Sequence, residues 1–432
     1  MQPGDTVQIR TKKKDGEKTY TGILMPRAQI FDQNILVLKL SSGYNIGIDT
    51  SSIIEKKVLE QRKPSLQKAP KQSQDQTLPK VVMISCGGTI SSRVDYRTGG
   101  VVADYDANDF ISMMPELAKI ATIKTVSLMQ KMSEDMNPTD WQVIAKEVIT
   151  HVNDPDVAGV VITQGTDTLH YTSAALSFML ENVSKPVVLT AAQRSIDRGS
   201  SDAFENVISS VQLAANFDGA CVGVCMHEST SDGVCQFIVG TKVRKMHTSR
   251  RDAFQPVNAR PIARVTGGKS IEIIDSSYYQ KQSELENTKT ILRADFEKKV
   301  GLVHVYPGMD ASVLNAYDTY KGLVIGATAL GHVPEQVLKK LESLAKKMVV
   351  VIATQTIYGR VHPYVYSRLR DMSLKMGIVF VNDMLAEVAY VKLGWVLANY
   401  KKTDEQKHIL QTAVAHEISQ ELSEDMYIGK RT

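Results

Sequence analysis

Cysteine and tryptophan are scarce in this chain, net charge is small, and long apolar runs are missing. Only four cysteines occur in 432 residues, Cys86, Cys221, Cys225 and Cys235, too few for a disulfide framework and in keeping with a reducing compartment. Cys221 and Cys225 flank a strand-like Val222-Gly223-Val224 with neither a second CxxC nor paired histidines nearby, so no metal site is expected. No apolar stretch approaches the roughly 18 residues of a membrane span, and Met1 to Asp5 has no leader pattern, so a cytoplasmic chain is expected. A formal charge of +4 is too small for a dedicated nucleic-acid binder. Phosphate loops of the GxxxxGK[ST] or GxGxxG type are also lacking. With 43% hydrophobic and 23% charged residues, the remainder reads as an ordinary globular protein long enough for two or three domains.

Charge is unevenly spread. From Glu55 to Lys80, basic Lys56, Lys57, Arg62, Lys63, Lys68, Lys71 and Lys80 outnumber acidic Glu55, Glu60 and Asp75, and Pro64, Pro70 and Pro79 stand among glutamines. Such a stretch reads as a solvated linker, residues 56 to 80, more readily than as a nucleic-acid contact. Before it, Thr6 to Arg10, Thr19 to Met25, Ile35 to Leu40 and Tyr44 to Ile48 are short β-like segments punctuated by Asp15-Gly16 and Ser42-Gly43. Residues 1 to 55 are therefore expected to form a small antiparallel β-barrel, a spacer or an interface, with no aromatic stacking platform for RNA.

Beyond the linker the pattern is α/β. Asn137-Pro138 starts a helix whose Trp141, Ile144, Ala145, Val148, Ile149 and Val152 follow helical spacing, and the strand-like Val157 to Ile162 comes next. Helices at about 169 to 182 and 201 to 216 lead to strands at Pro186 to Leu189 and Cys221 to Met226. This alternation predicts a mainly parallel, doubly wound sheet over 81 to 285. A smaller α/β domain is expected over 286 to 432, with strands near Val300, Gly322, Met348 and Gly377. Its helices fall at about 333 to 346 and 363 to 375, and the final two, 386 to 399 and 404 to 422, are expected on the outside.

Two segments carry the chemistry. Cys86-Gly87-Gly88-Thr89-Ile90 follows the apolar run Val81 to Ile84, and Thr163-Gln164-Gly165-Thr166-Asp167-Thr168 follows Val157 to Ile162. In a parallel α/β sheet, ligands gather beyond the carboxyl ends of the strands, so both loops fall where they can face one pocket. A threonine hydroxyl needs a neighbour to take its proton, and glycines beside it admit a substrate carbonyl to backbone N–H groups. Taken alone, a glycine pair is more often a tight turn, and Thr166 or Asp167 more often a helix cap.

Together with Ala191-Ala192-Gln193-Arg194 and a lysine in Gly240-Thr241-Lys242-Val243-Arg244-Lys245, these motifs resemble the L-asparaginase/glutaminase amidohydrolase family from about Pro79 onward. The resemblance implies a two-domain asparaginase-like α/β fold. It makes Thr89 the nucleophile, Thr166, Asp167 and Lys245 its proton-handling partners, and Tyr96 a mobile-loop hydrogen-bond donor. It also implies that Ser133 meets the substrate carboxylate, that Glu134 and Asp167 meet its ammonium, and that backbone near Ala192, Thr166 and Thr89 forms the oxyanion hole. Lys242, Arg244, Arg250 and Arg251 crowd Lys245, and by sequence any of the five is equally well read as an exposed charge.

The β-rich extension, the linker and Tyr358-Gly359-Arg360-Val361 narrow the resemblance to the branch that works on aminoacyl-tRNA. That branch implies glutamine as substrate and a homodimer within an α2β2 assembly. The partner subunit would carry kinase and transferase activity, use ATP and magnesium, bind tRNA(Gln) and receive ammonia, and this chain would hold no cofactor. The second-domain Asn and Glu of free-standing enzymes have no clear counterpart in Gly326 to Gly331 or after Thr354. Two other readings stay open: a free-standing asparaginase or glutaminase, and an RNA-binding scaffold whose site has lapsed.

Overall fold

A computed structural model describes residues 1, 4–13, 16–25, 34–41, 45–61, 75–88, 92–94, 101–103, 114–196, 201–285 and 288–427. The first module is a five-stranded antiparallel sheet of β1 (Thr6–Lys13), β2 (Gly16–Leu24), β3 (Ile35–Leu40), β4 (Asn45–Asp49) and β5 (Ile53–Glu60), ordered β4-β3-β2-β1-β5. Val7 and Ile9 of β1 alternate with solvent-facing Gln8 and Arg10 and pack with Leu24, Leu38 and Ile48 into a small core of their own. β5 corrects the expected linker. Lys56 and Lys57, read as tether, sit in a strand paired with β1, because Ile53 and Val58 pack on the module's core and Glu55 meets Arg10 at 2.7 Å. Charged side chains on this edge strand masked it in a composition reading. Linker residues 62–74 lie outside the described residues.

The large domain is built on an eight-stranded sheet. Its strands are β6 (Lys80–Ser85), β7 (Thr122–Ser127), β8 (Val157–Thr163), β9 (Val187–Thr190), β10 (Val222–His227), β11 (Val234–Val239), β14 (Ala263–Thr266) and β15 (Ser270–Ile273), in the order β15-β14-β11-β10-β9-β8-β6-β7. A hairpin of β12 (Val243–Lys245) and β13 (Phe254–Pro256) lies between β11 and β14 in the chain. Strands β7, β6, β8, β9 and β10 are parallel, while β11, β14 and β15 run antiparallel at one side. Val82 and Ile84 of β6 enter one core, Val81 and Met83 the other, as expected of a strand covered on both faces.

Helix α1 (Pro138–Val152) starts at a capping box of Asn137 and Asp140 and buries Trp141, Ile144, Ala145, Val148 and Val152. Helices α2 (Leu169–Met179) and α3 (Ala203–Asn216) follow β8 and β9. All four cysteines are free and buried.

The second domain has a four-stranded parallel sheet, β16 (Val300–His304), β17 (Gly322–Ala327), β18 (Val349–Thr354) and β19 (Val379–Leu385), in sequence order. Its helices are α4 (Glu335–Ala345), α5 (Ser367–Arg370, continued by one π turn), α6 (Ala386–Asn399) and α7 (Thr403–Gln411). Residues 288–297, expected to open this domain, bridge the two: Ile291–Leu292 pairs with Leu180–Glu181 and Phe296 meets Trp141 edge-on, while Trp395 and Asn399 of α6 donate to the carbonyls of Arg293 and Asp295.

Two expectations about the final helices fail. α6 is central, with ten buried residues from Ala386 to Val396, because it is apolar on nearly every side. It joins the core shared by both domains. α7 stops at Gln411 instead of reaching 422. Beyond it the chain turns inward so that Glu417, wholly buried, pairs with equally buried Lys392 and accepts the N–H groups of Val414 and Ala415.

Candidate active site

The loops after β6, β8 and β9 extend the parallel ladder past the strand ends. Cys86 N–H donates to Thr163 O at 2.8 Å and Gln164 N–H to Thr190 O at 3.1 Å. Gly87 and Gly88 have φ of 89° and 84°, open to glycine and costly for other residues. Space demands them as well. A β-carbon on Gly88 would stand 2.1 Å from Gly165 N, and one on Gly87 would stand 2.5 Å from Lys131 N. The two hydroxyl-bearing loops thus touch backbone to backbone, one residue short of both Thr89 and Thr166. Thr89 and Tyr96 themselves lie outside the described residues.

Thr166, Asp167 and Lys245 converge. Lys245 Nζ donates to Thr166 Oγ1 at 2.8 Å and to Asp167 Oδ1 at 2.6 Å. Thr166 is buried and Asp167 faces solvent. Ser133 is 3% exposed and braces the same loop: its Oγ accepts Asp167 N–H at 3.1 Å, and its carbonyl accepts the Thr168 hydroxyl at 2.6 Å. Glu134, beside it on a single 3-10 turn, is exposed. A cleft of about 290 Å³ opens at Asp167 and Lys245 and is lined further by Met246, His247 and Thr248. That volume suits a small molecule. Sequence reasoning did not name His247 and Thr248, although both follow Lys245 directly.

Ala192 is fully buried in the loop after β9. Its neighbours are committed elsewhere, since Asp202 accepts the N–H groups of Gln193 and Arg194 at 3.0 to 3.1 Å. Asn206 donates to Ala191 O and accepts from His227, whose other nitrogen stands 2.9 Å from Glu205. This buried network fixes the loop, and the Ser-Ser-Asp-Ala-Phe-Glu-Asn run at the start of α3 was its overlooked signal. Burial works against a charged His227, yet its contacts with Cys235 and Glu205 outweigh that and push it up to about 10. Glu205, His227 and Asp232 stand close enough to suggest a metal centre. Arg251, however, already pairs with Asp232, and Glu205 already holds His227, so the donors are spent on one another.

The crowd of cations is divided among separate acidic partners. Lys242 pairs with Asp383, Arg244 with Glu387, Arg250 with Asp252 and Arg251 with Asp232, while Lys245 points at Thr166 and Asp167. Across the junction of the domains, Asn258 clasps Gly359 with two hydrogen bonds, which seats the Tyr358 to Val361 segment.

The chain is similar to known proteins over nearly its whole length. Residues 80–278 match the family model "Asparaginase, N-terminal", residues 299–410 the "Glutaminase/Asparaginase C-terminal domain", and residues 1–59 the "GatD N-terminal domain". The GatD subunit of glutamyl-tRNA(Gln) amidotransferase from Pyrococcus abyssi is 43% identical over 98% of this chain and 97% of its own length. Its counterpart in Methanopyrus kandleri is 41% identical over 96% and 91%. Among solved structures, the thermostable L-asparaginase of Thermococcus kodakarensis superposes with a TM-score of 0.70 at 29% identity, covering 79% of this chain and all of that one. L-asparaginase I of Vibrio cholerae gives 0.67 at 25% identity over 79% and 99%.

Proposed function

The chain belongs to the GatD family of glutamyl-tRNA(Gln) amidotransferase subunits, a branch of the asparaginase-type amidohydrolases, and from that membership we propose that it hydrolyses glutamine and passes the ammonia to a partner subunit. It is an enzyme of the amidohydrolase fold, serving as the glutaminase of an amidotransferase.

In this reading the Thr89 hydroxyl attacks the side-chain amide carbon of glutamine. Lys245, held between Thr166 and Asp167, acts as a neutral amine that accepts the proton of the nucleophile and returns it to the leaving nitrogen. The C–N bond breaks, ammonia departs, and water then cleaves the Thr89 ester to free glutamate. Backbone N–H groups at Ala192 and the two glycine loops carry the oxyanion, since those of Gln193 and Arg194 are engaged by Asp202. Ser133 and Asp167 receive the two charged ends of the amino acid, with Glu134 beside them, and Tyr96 hydrogen-bonds the nucleophile. The partner, of GatE type, would supply kinase and transferase chemistry with ATP and magnesium and would hold the tRNA. This chain works without a cofactor of its own, in the cytoplasm, as a homodimer within an α2β2 complex. None of its described helices is long and apolar enough to cross a membrane.

The observation that carries the reading is the lysine amine shared by Thr166 and Asp167, one backbone contact away from the loop of Thr89. A second reading, a free-standing asparaginase, is favoured by the solved neighbours, both asparaginases. Ammonia release from glutamine and from asparagine, with and without partner subunit and charged tRNA, separates the two. A coupled glutaminase speeds up when both are added, whereas a free-standing one runs at full rate alone. Thr89→Ala and Lys245→Ala each abolish release while the fold persists; wild-type turnover in either refutes the assignment.

A further inference from the structure

We propose that Lys242 and Arg244 are positioning residues for Lys245, tying its strand to the second domain through Asp383 and Glu387 so that the seating of that domain governs turnover. This rests on the reading of Lys245 as the proton carrier.

β12 is only three residues long and, among the described residues, has a single β-partner, β13. So short a ribbon fixes its own register poorly, and a slip of one residue exchanges the faces of every side chain. Here the slip would be consequential, because Arg244 would turn toward Thr166 and Asp167 and Lys245 would turn away. Both residues are cations, so attraction to Asp167 does not choose between them.

The choice is made from the other side. Lys242 Nζ meets Asp383 Oδ2 at 2.5 Å, with the two residues 1% and 2% exposed, and the second Asp383 oxygen takes Ser419 N–H at 2.9 Å. Arg244 Nη2 meets Glu387 Oε1 at 2.7 Å, and Glu387 is 7% exposed in the first turn of α6. Thr241 adds a hydroxyl bond to Ala415 O at 2.7 Å.

Buried ion pairs seldom stabilise a fold more than apolar residues of similar volume would, and their best-attested use is to select one arrangement. The buried Lys242 pair and the half-buried Arg244 pair, two residues apart, leave Lys245 as the cation that turns the other way. Asp383 lies near the end of β19 and Glu387 in the first turn of α6, the helix embedded in the core common to both domains. Any shift of the second domain is therefore carried to the strand that bears Lys245.

The test compares Glu387→Gln, Asp383→Asn and the exchanged pair Arg244→Glu with Glu387→Arg in the full chain, by steady-state ammonia release. Each single variant is expected to lose about tenfold or more in kcat with KM kept within about threefold, since glutamine binding does not use these groups. The exchanged pair recovers a large part of the loss. Glu387→Gln, at the rim of the core, keeps the test decisive if Asp383→Asn does not fold. Wild-type kcat in folded Glu387→Gln, or a lowered melting temperature with kcat unchanged, overturns the proposal while an inactive Lys245→Ala leaves the site reading standing. An active Lys245→Ala overturns both.

Discussion

Gly88→Ala is the sharpest probe of how the two threonine loops are joined. The added methyl meets two penalties. Its β-carbon would lie 2.1 Å from Gly165 N and 2.3 Å from Gly165 Cα, so the loops must part by more than about 1 Å to restore ordinary contact. The φ of 84° adds about 1–2 kcal/mol of backbone strain for a residue with a β-carbon. A displacement of about 1 Å between reacting groups costs on the order of 100-fold in rate. Gly308→Ala is the control. Its φ is 78° with nothing within 4 Å of the new methyl, so it bears the strain without the collision. In ammonia-release assays with parallel thermal melts, Gly308→Ala should lose a few degrees of melting temperature and keep its rate. Gly88→Ala should lose on the order of 100-fold in kcat while remaining folded. Equal rates in the two variants would mean that contact between the loops does not set the geometry of Thr89.

Other consequences concern stability. Glu417→Gln leaves the buried Lys392 ammonium with the carbonyls of Leu410 and Thr412 but no counter-charge and should cost about 3–5 kcal/mol, read as a shift of the urea midpoint; an unchanged midpoint contradicts the pairing. Two buried histidines impose opposite pH dependences. Burial pushes His170 down to about 4, below the unfolded value near 6.5, so its contribution is complete above pH 6.5 and drains away as pH falls toward 4. His170→Phe should flatten that acid limb, worth about 3 kcal/mol at most. His227, raised to about 10, contributes fully below pH 6.5 and loses its effect as pH climbs to 10, so His227→Gln should flatten the alkaline limb instead. Urea titrations at stepped pH check both, and an unaltered slope in either variant refutes the corresponding assignment.

Much of the architecture was legible because it is local. Asn137-Pro138 with Asp140 three residues after the cap dictates where α1 begins, and the even spacing of Trp141, Ile144, Val148 and Val152 dictates the face it buries. Parallel strands buried on both sides read as the unbroken apolar runs at 81–84, 157–162 and 187–189. Strand β5 was lost because its charges outweighed Ile53 and Val58 in a count by composition. The central place of α6 was lost although its all-round apolarity announced it, since the sequence does not say which surfaces will cover a helix.

The primary structure alone determined the alternation of strands and helices, the glycine turns that let loops approach, and the hydroxyl, carboxylate and amine groups suited to amide cleavage. Those properties follow from backbone conformation and side-chain chemistry within a few residues. Only the folded chain decided that Lys245, among five neighbouring cations, meets Thr166 and Asp167. Its rivals are claimed by Asp383, Glu387, Asp252 and Asp232. Lys242 and Asp383 are separated by 141 positions, and an attraction over that span acts only once packing has brought the two groups together.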